Sequence, residues 1–185
     1  RRKSRISLQL EKYTIVQAIK AIDRADIALV LLDAEEGISE QDLKFAGLAL
    51  ERGTACILVV NKWDRVEKDD RTIGIYVENI RNQAKFLDFA PIIFVSALSG
   101  QRVAKIFDLV DRVHDQYTRR IETGELNRKL LEIIEKNPPP GRSNRPHVFN
   151  YITQVGVKPP TFVLFLRQRG KLHFSYERYL INRIR

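Results

Sequence analysis

Three short apolar runs punctuate the first two-thirds of the chain, and each stops at a polar residue. Ile27–Leu32 (IALVLL) ends at Asp33, Ile57–Val60 (ILVV) at Asn61, and Pro91–Val95 (PIIFV) at Ser96. Runs of this length, bounded by polar residues, fit strands buried on both faces of a parallel sheet. Between them the apolar spacing becomes helical. Tyr13, Val16, Ile19 or Lys20, and Ile22 share one face through Lys12–Arg24. Ser39 with Asp42 three residues later forms a capping box, opening a helix that Leu43, Ala46 and Leu50 continue to a stop at Gly53. Ile73, Val77, Ile80 and Ala84 mark a third helix, ended before Pro91. Val103, Ile106, Leu109 or Val110, Val113 and Tyr117 carry a fourth to about Arg119. Helix and strand alternating in this order predict an α/β fold with a partial, right-handed, doubly wound parallel sheet.

Beyond Thr118 the pattern changes. Leu126, Leu130, Ile133 and Ile134 predict a short helix stopped by Pro138-Pro139-Pro140-Gly141, followed by a basic loop over Arg142–Pro146. Val148–Val155 alternates apolar with polar residues, as a half-buried strand does. Gly156–Pro160 turns the chain into a second strand, Thr161–Leu166. A basic loop over Arg167–Lys171 leads to a closing helix with Tyr176, Tyr179, Leu180 and Ile184 on one face. The order α-β-β-α predicts a small α+β domain, its strands covered by helices on one side and its usual third strand not supplied.

The polar ends of the first-domain strands carry the candidate chemistry. In open α/β sheets, ligands bind in the crevice beyond the carboxyl ends of the strands. There the chain places Asn61-Lys62-Trp63-Asp64. An ionised Asp64 only accepts hydrogen bonds, and guanine offers a ring N1–H beside an exocyclic NH2, whereas adenine presents a bare acceptor at N1. An acceptor facing an acceptor costs about 1–3 kcal/mol, so the quartet is expected to select guanine. Asn61 suits the N7 and O6 side of the base, and the Lys62 stem suits the ring plane. The alternative is a solvated turn in which Asn61 caps a loop and Asp64 the next helix. A second polar signature, Ser96-Ala97-Leu98-Ser99-Gly100, ends the third strand, so two motifs share one edge.

Composition narrows the class. With 44% apolar and 30% charged residues, the chain reads as a soluble globular protein. Its apolar runs fall short of the roughly 20 residues of a membrane span, and no secretory pattern opens it; a cytoplasmic location is expected. The one cysteine, Cys56, suits a reducing compartment and plain packing. His114, His147 and His173 lack partners at metal-binding spacing, so no metal site is expected. The net charge of +9 is lopsided: residues 1–119 carry 19 Lys and Arg against 18 Asp and Glu, while residues 120–185 carry 13 against 5. Such an excess is the footprint of a polyanionic partner, nucleic acid or ribonucleoprotein.

Asn61, Lys62 and Asp64 match the Asn-Lys-x-Asp motif of the translation-factor-like GTPases, which the chain resembles, and Ser96 and Ala97 match the Ser-Ala-x motif, in which a backbone N–H meets guanine O6. The resemblance implies a P-loop GTPase-like domain over 1–119. Its phosphate loop, G-x-x-x-x-G-K-[ST], and the Asp-x-x-Gly segment that holds magnesium are not found in these residues. Thr123–Asn127, Pro138–Pro140, Thr153–Val163 and Phe174–Leu180 resemble the C-terminal KH-like domain of the Der (EngA) family, bacterial GTPases with two tandem G domains. That likeness implies the latter part of the second G domain (1–119), then most of the KH-like domain (120–185) without its last strand. It further implies GTP or GDP as ligand, with Asn61, Lys62, Asp64, Ser96 and Ala97 around the base. Magnesium is implied for the intact protein, with neither its ligands nor catalytic residues in this chain. The implied partners are the large ribosomal subunit or its rRNA, met through 120–185, and the protein's own first G domain. The Gly-x-x-Gly clamp of ordinary KH domains is absent, which disfavours an Era-like GTPase. A nucleotide-dependent RNA-binding module with little intrinsic hydrolysis is the alternative.

Overall fold

The computed structural model describes residues 14–140, 148–167 and 172–185. Arg1–Arg5 and Tyr13, and the basic residues Arg142, Arg145, Arg169 and Lys171, lie outside them. The chain divides into two units, at Tyr117 and Thr118.

In the first unit, β1 (Ile27–Asp33), β2 (Ala55–Asn61) and β3 (Ile92–Phe94) form a parallel sheet in the order β1-β2-β3. Its helices are α1 (residues 14–22), α2 (Glu40–Glu51), α3 (Thr72–Gln83) and α4 (Lys105–Thr118). The period of 2 along β2 sends alternate side chains to opposite faces. Cys56, Leu58 and Val60 join Ala46 and Ala49 of α2 and Ile80 of α3 on one side. Ile57 and Val59 meet Ile106, Leu109, Val110 and Val113 of α4 on the other. Helices therefore cover both faces, the doubly wound arrangement the alternation predicts. Ile57, Leu58, Val59 and Val60 are all buried, and burial of a side chain of that size contributes about 1.5–3 kcal/mol.

Two expectations are corrected here. β1 is buried on one face only: Leu29 and Leu31 are 41% and 60% exposed. They pair in register with Ile57 and Val59, so they point to the α4 side, and among the described residues β1 lies at the edge of the sheet, beyond the reach of α4. Val16, assigned to the buried face of α1, is exposed together with Ile15, whereas Ile22 packs on the core. The capping box of α2 forms as read: the Asp42 N–H donates to Ser39 Oγ at 3.2 Å, and the Ser39 N–H donates to Asp42 Oδ2 at 2.9 Å.

The second unit contains α5 (Thr123–Lys136), the antiparallel pair β4 (Phe149–Gly156) and β5 (Thr161–Leu166), and α6 (Phe174–Ile184). Leu126, Leu130 and Ile133 of α5, Ile152 of β4, and Tyr176 and Leu180 of α6 make its core. Buried Gln154 organises the entry to α5. Its Oε1 accepts the Ile121 N–H at 2.8 Å, and its Nε2 donates to the carbonyls of Arg119 at 3.0 Å and Gly156 at 3.1 Å.

Candidate guanine-binding site

Asp33 and Asn61 are register partners, and Val60 pairs with Phe94, so β1, β2 and β3 release their next residues along one rim. The Val95 N–H donates to the Val60 carbonyl at 2.8 Å, and the Trp63 N–H returns to the Val95 carbonyl at 3.0 Å. These bonds stitch the turn after β2 to the turn after β3. Lys62 makes the sharp bend between them at φ 61°. Trp63, wholly buried, then anchors a short 3-10 turn by packing on Phe94, with ring centroids 4.5 Å apart, and on Tyr76 at 5.0 Å.

All five residues singled out in the sequence meet at this rim. Asn61 Oδ1 accepts the Ala97 N–H at 3.0 Å. That bond fixes the amide's orientation and leaves Nδ2 as a donor. It also engages the N–H that the motif assigns to guanine O6. The Ser96 hydroxyl beside Asp64 holds its carboxyl below the usual carboxylate range. Ser96 is buried and its Oγ also accepts the Ser99 N–H at 3.2 Å. The side chains of Lys62 and Asp64 are solvent-exposed, as is Ala97. An ionised acceptor, an oriented amide donor and a long apolar stem on an open rim match the hydrogen-bonding edge and face of guanine.

Lys62 makes a contact the sequence did not give a role. Its ammonium pairs with the Asp33 carboxylate, which lowers the pKa of Asp33 and raises that of Lys62. The arrival of Asp33 at the same rim was readable from its place at the end of an apolar run; its pairing with Lys62 depends on strand register. Cys56 is buried, and desolvation pushes its thiol up to about 11, the behaviour of a packing residue. Among the described residues, no group of three or more His, Cys, Asp or Glu is placed to hold a metal ion, and no helix is long and apolar enough to cross a membrane.

Residues 13–116 match the family model described as the Elongation factor Tu GTP binding domain. That match spans more than half of the chain, and the chain belongs to this family of GTP-binding domains. Residues 120–185 match the KH-domain-like region of EngA bacterial GTPase enzymes, C-terminal. Over all 185 residues the chain is 50% identical to GTPase Der of Geobacter metallireducens, 54% to GTPase Der of Syntrophotalea carbinolica and 52% to GTPase Der of Caldanaerobacter subterraneus. The resemblance to Der (EngA) is thus the one these relatives show. The chain spans 42% of the length of each of them.

Proposed function

We propose that this chain supplies the guanine-reading part of a Der-type GTPase, in which Asn61 and Asp64 read the base, the Lys62 stem lies along it, and Ser96 and Ala97 close the pocket. The full-length protein is a GTP hydrolase that binds GTP and GDP and acts in assembly of the large ribosomal subunit. The observation that carries the reading is the cross-turn bond from the Ala97 N–H to Asn61 Oδ1 at the carboxyl ends of adjacent parallel strands, with Asp64 and Ser96 at the same rim. What these residues contribute is selection: Asp64 accepts from N1–H and the exocyclic NH2, which adenine cannot offer together. Magnesium is implied for the intact protein by the family's chemistry, with its ligands expected outside this chain. Calorimetry of the full-length protein tests the reading. Asp64→Asn should weaken GDP and improve xanthosine diphosphate; unchanged GDP affinity with no gain for the xanthine nucleotide would count against it.

A second reading rests on charge. Residues 120–185 hold +8 of the net +9, and Lys158 and Arg167 are exposed there. This favours contact with rRNA phosphates. The protein then acts as a nucleotide-dependent ribosome-binding module with little turnover of its own. Its mark would be steeply salt-dependent co-sedimentation with ribosomal subunits, lost when 120–185 are deleted, beside negligible GTP hydrolysis.

A further inference from the structure

Two ion pairs join the turn after β1 to the turn after β2. The Lys62 ammonium meets the Asp33 carboxylate, and Arg65 Nη1 lies 2.9 Å from Glu35 Oε2. Asp33 is itself braced. Its Oδ1 accepts the Glu35 N–H at 2.9 Å, and its carbonyl accepts the Gly37 N–H at 2.8 Å. The next residue ties the two strands again, since the Ala34 N–H donates to the Asn61 carbonyl at 3.0 Å and the Ala34 carbonyl accepts the Tyr76 hydroxyl at 2.8 Å. Asp33 therefore presents a fixed charge on a rigid turn, its side chain 19% exposed against 45% for Lys62.

Lys62 is the opposite kind of residue. Its backbone occupies the left-handed region, φ 61° and ψ 29°, which disfavours a side chain with a Cβ. Its stem has four rotatable bonds, and a free lysine gives up that freedom only when something holds it. We propose that Asp33 is a positioning residue for guanine-nucleotide binding: by gripping the Lys62 ammonium it sets the lysine stem in place before the base arrives. This rests on the guanine reading above and adds to it a residue outside both motifs. The benefit is preorganisation, because the ordering cost is met in the free protein and not on binding.

The measurement is GDP affinity and dissociation rate in the full-length protein carrying this chain, arranged as a double-mutant cycle. Asp33→Asn keeps the shape and an oxygen for the Glu35 N–H while removing the charge. Lys62→Met keeps the stem and removes its head. Asp33→Asn should weaken GDP about three- to tenfold, mostly through faster dissociation, the range expected when one long side chain must be ordered on binding. In the Lys62→Met background the same change should do nothing further. A brace that acted only on the fold would cost the same in both backgrounds. GDP affinity of Asp33→Asn within twofold of the parent, or an equal loss in the Lys62→Met background, overturns the proposal. Asp64→Asn in the same assay separates the two failures. If it switches preference to xanthosine diphosphate while Asp33→Asn is silent, only the positioning role falls. If Asp64→Asn does not switch, the guanine reading falls and the positioning role with it.

Discussion

Asn61 and Ala97 are 36 positions apart in sequence, yet the Ala97 N–H donates to Asn61 Oδ1 at 3.0 Å. One side chain thereby does two jobs: its oxygen joins the ends of β2 and β3, and its amide nitrogen is left to the proposed pocket. Asn61→Ala removes both. We expect GDP affinity to fall by about 10- to 100-fold, corresponding to one or two lost hydrogen bonds in a partly desolvated site. Isothermal titration of the full-length protein checks this, and a loss below twofold would place Asn61 outside the pocket.

Trp63 links that pocket to the core. It is 1% exposed and packs edge-on to Tyr76, although its neighbours Lys62 and Asp64 face solvent. Trp63→Ala should cost about 3–5 kcal/mol of stability, as expected for emptying a buried aromatic site. Trp63→Phe should cost much less. Since this is the one tryptophan in the sequence, a red shift of its emission on exposure should report wild-type unfolding directly. The variants are followed by circular dichroism in urea, where equal midpoints for Trp63→Ala and the parent would contradict the packing.

Much of this rim was legible from residue order. Apolar runs ending in Asp33, Asn61 and Ser96 located three strand ends, and parallel strands place such ends together by topology alone. The outward face of β1 was not legible, because Leu29 and Leu31 have the same apolar character as the buried Leu58 and Val59. Among the described residues α4 reaches Ile57 and Val59 but not Leu29 and Leu31, a difference no local pattern carries. The Lys62 to Asp33 pair was hidden for a related reason. It requires Asp33 and Asn61 to be in register, and a one-residue slip of β1 would turn Asp33 to the other face. Gln154 is a polar position in an alternating strand, and its three partners lie on segments whose approach no local pattern announces.

Acid should loosen the rim before it unfolds the helices. The carboxyls of Asp33 and Asp64 are held below their ordinary range, Asp33 chiefly by the Lys62 ammonium and Asp64 chiefly by the Ser96 hydroxyl. Groups depressed in the folded state contribute stability that is fully present above their unfolded values, near 3.8. That contribution is lost as pH falls through the folded values. Melting temperature measured from about pH 6 down to pH 2.5 should therefore drop less steeply in Asp33→Asn than in the parent. Parallel curves would show that Asp33 gains nothing from Lys62 on folding.

The second unit depends on Gln154 in a way that a single substitution exposes. The side chain is 5% exposed and satisfies one N–H and two carbonyls, from Ile121, Arg119 and Gly156. Gln154→Leu keeps the bulk and abandons all three groups, and we expect a loss of about 3 kcal/mol or more. Gln154→Glu is more informative. An ionised carboxylate there would face two carbonyl oxygens it cannot donate to, so the folded state favours the protonated acid and raises its pKa. With the folded value raised, the variant's stability should be nearest the parent's below the ordinary glutamate range, and the deficit should grow as pH rises through the folded value. Urea unfolding followed by circular dichroism at pH 4 and pH 7 tests the sign. A deficit larger at pH 4 would mean that Gln154 does not donate to those carbonyls.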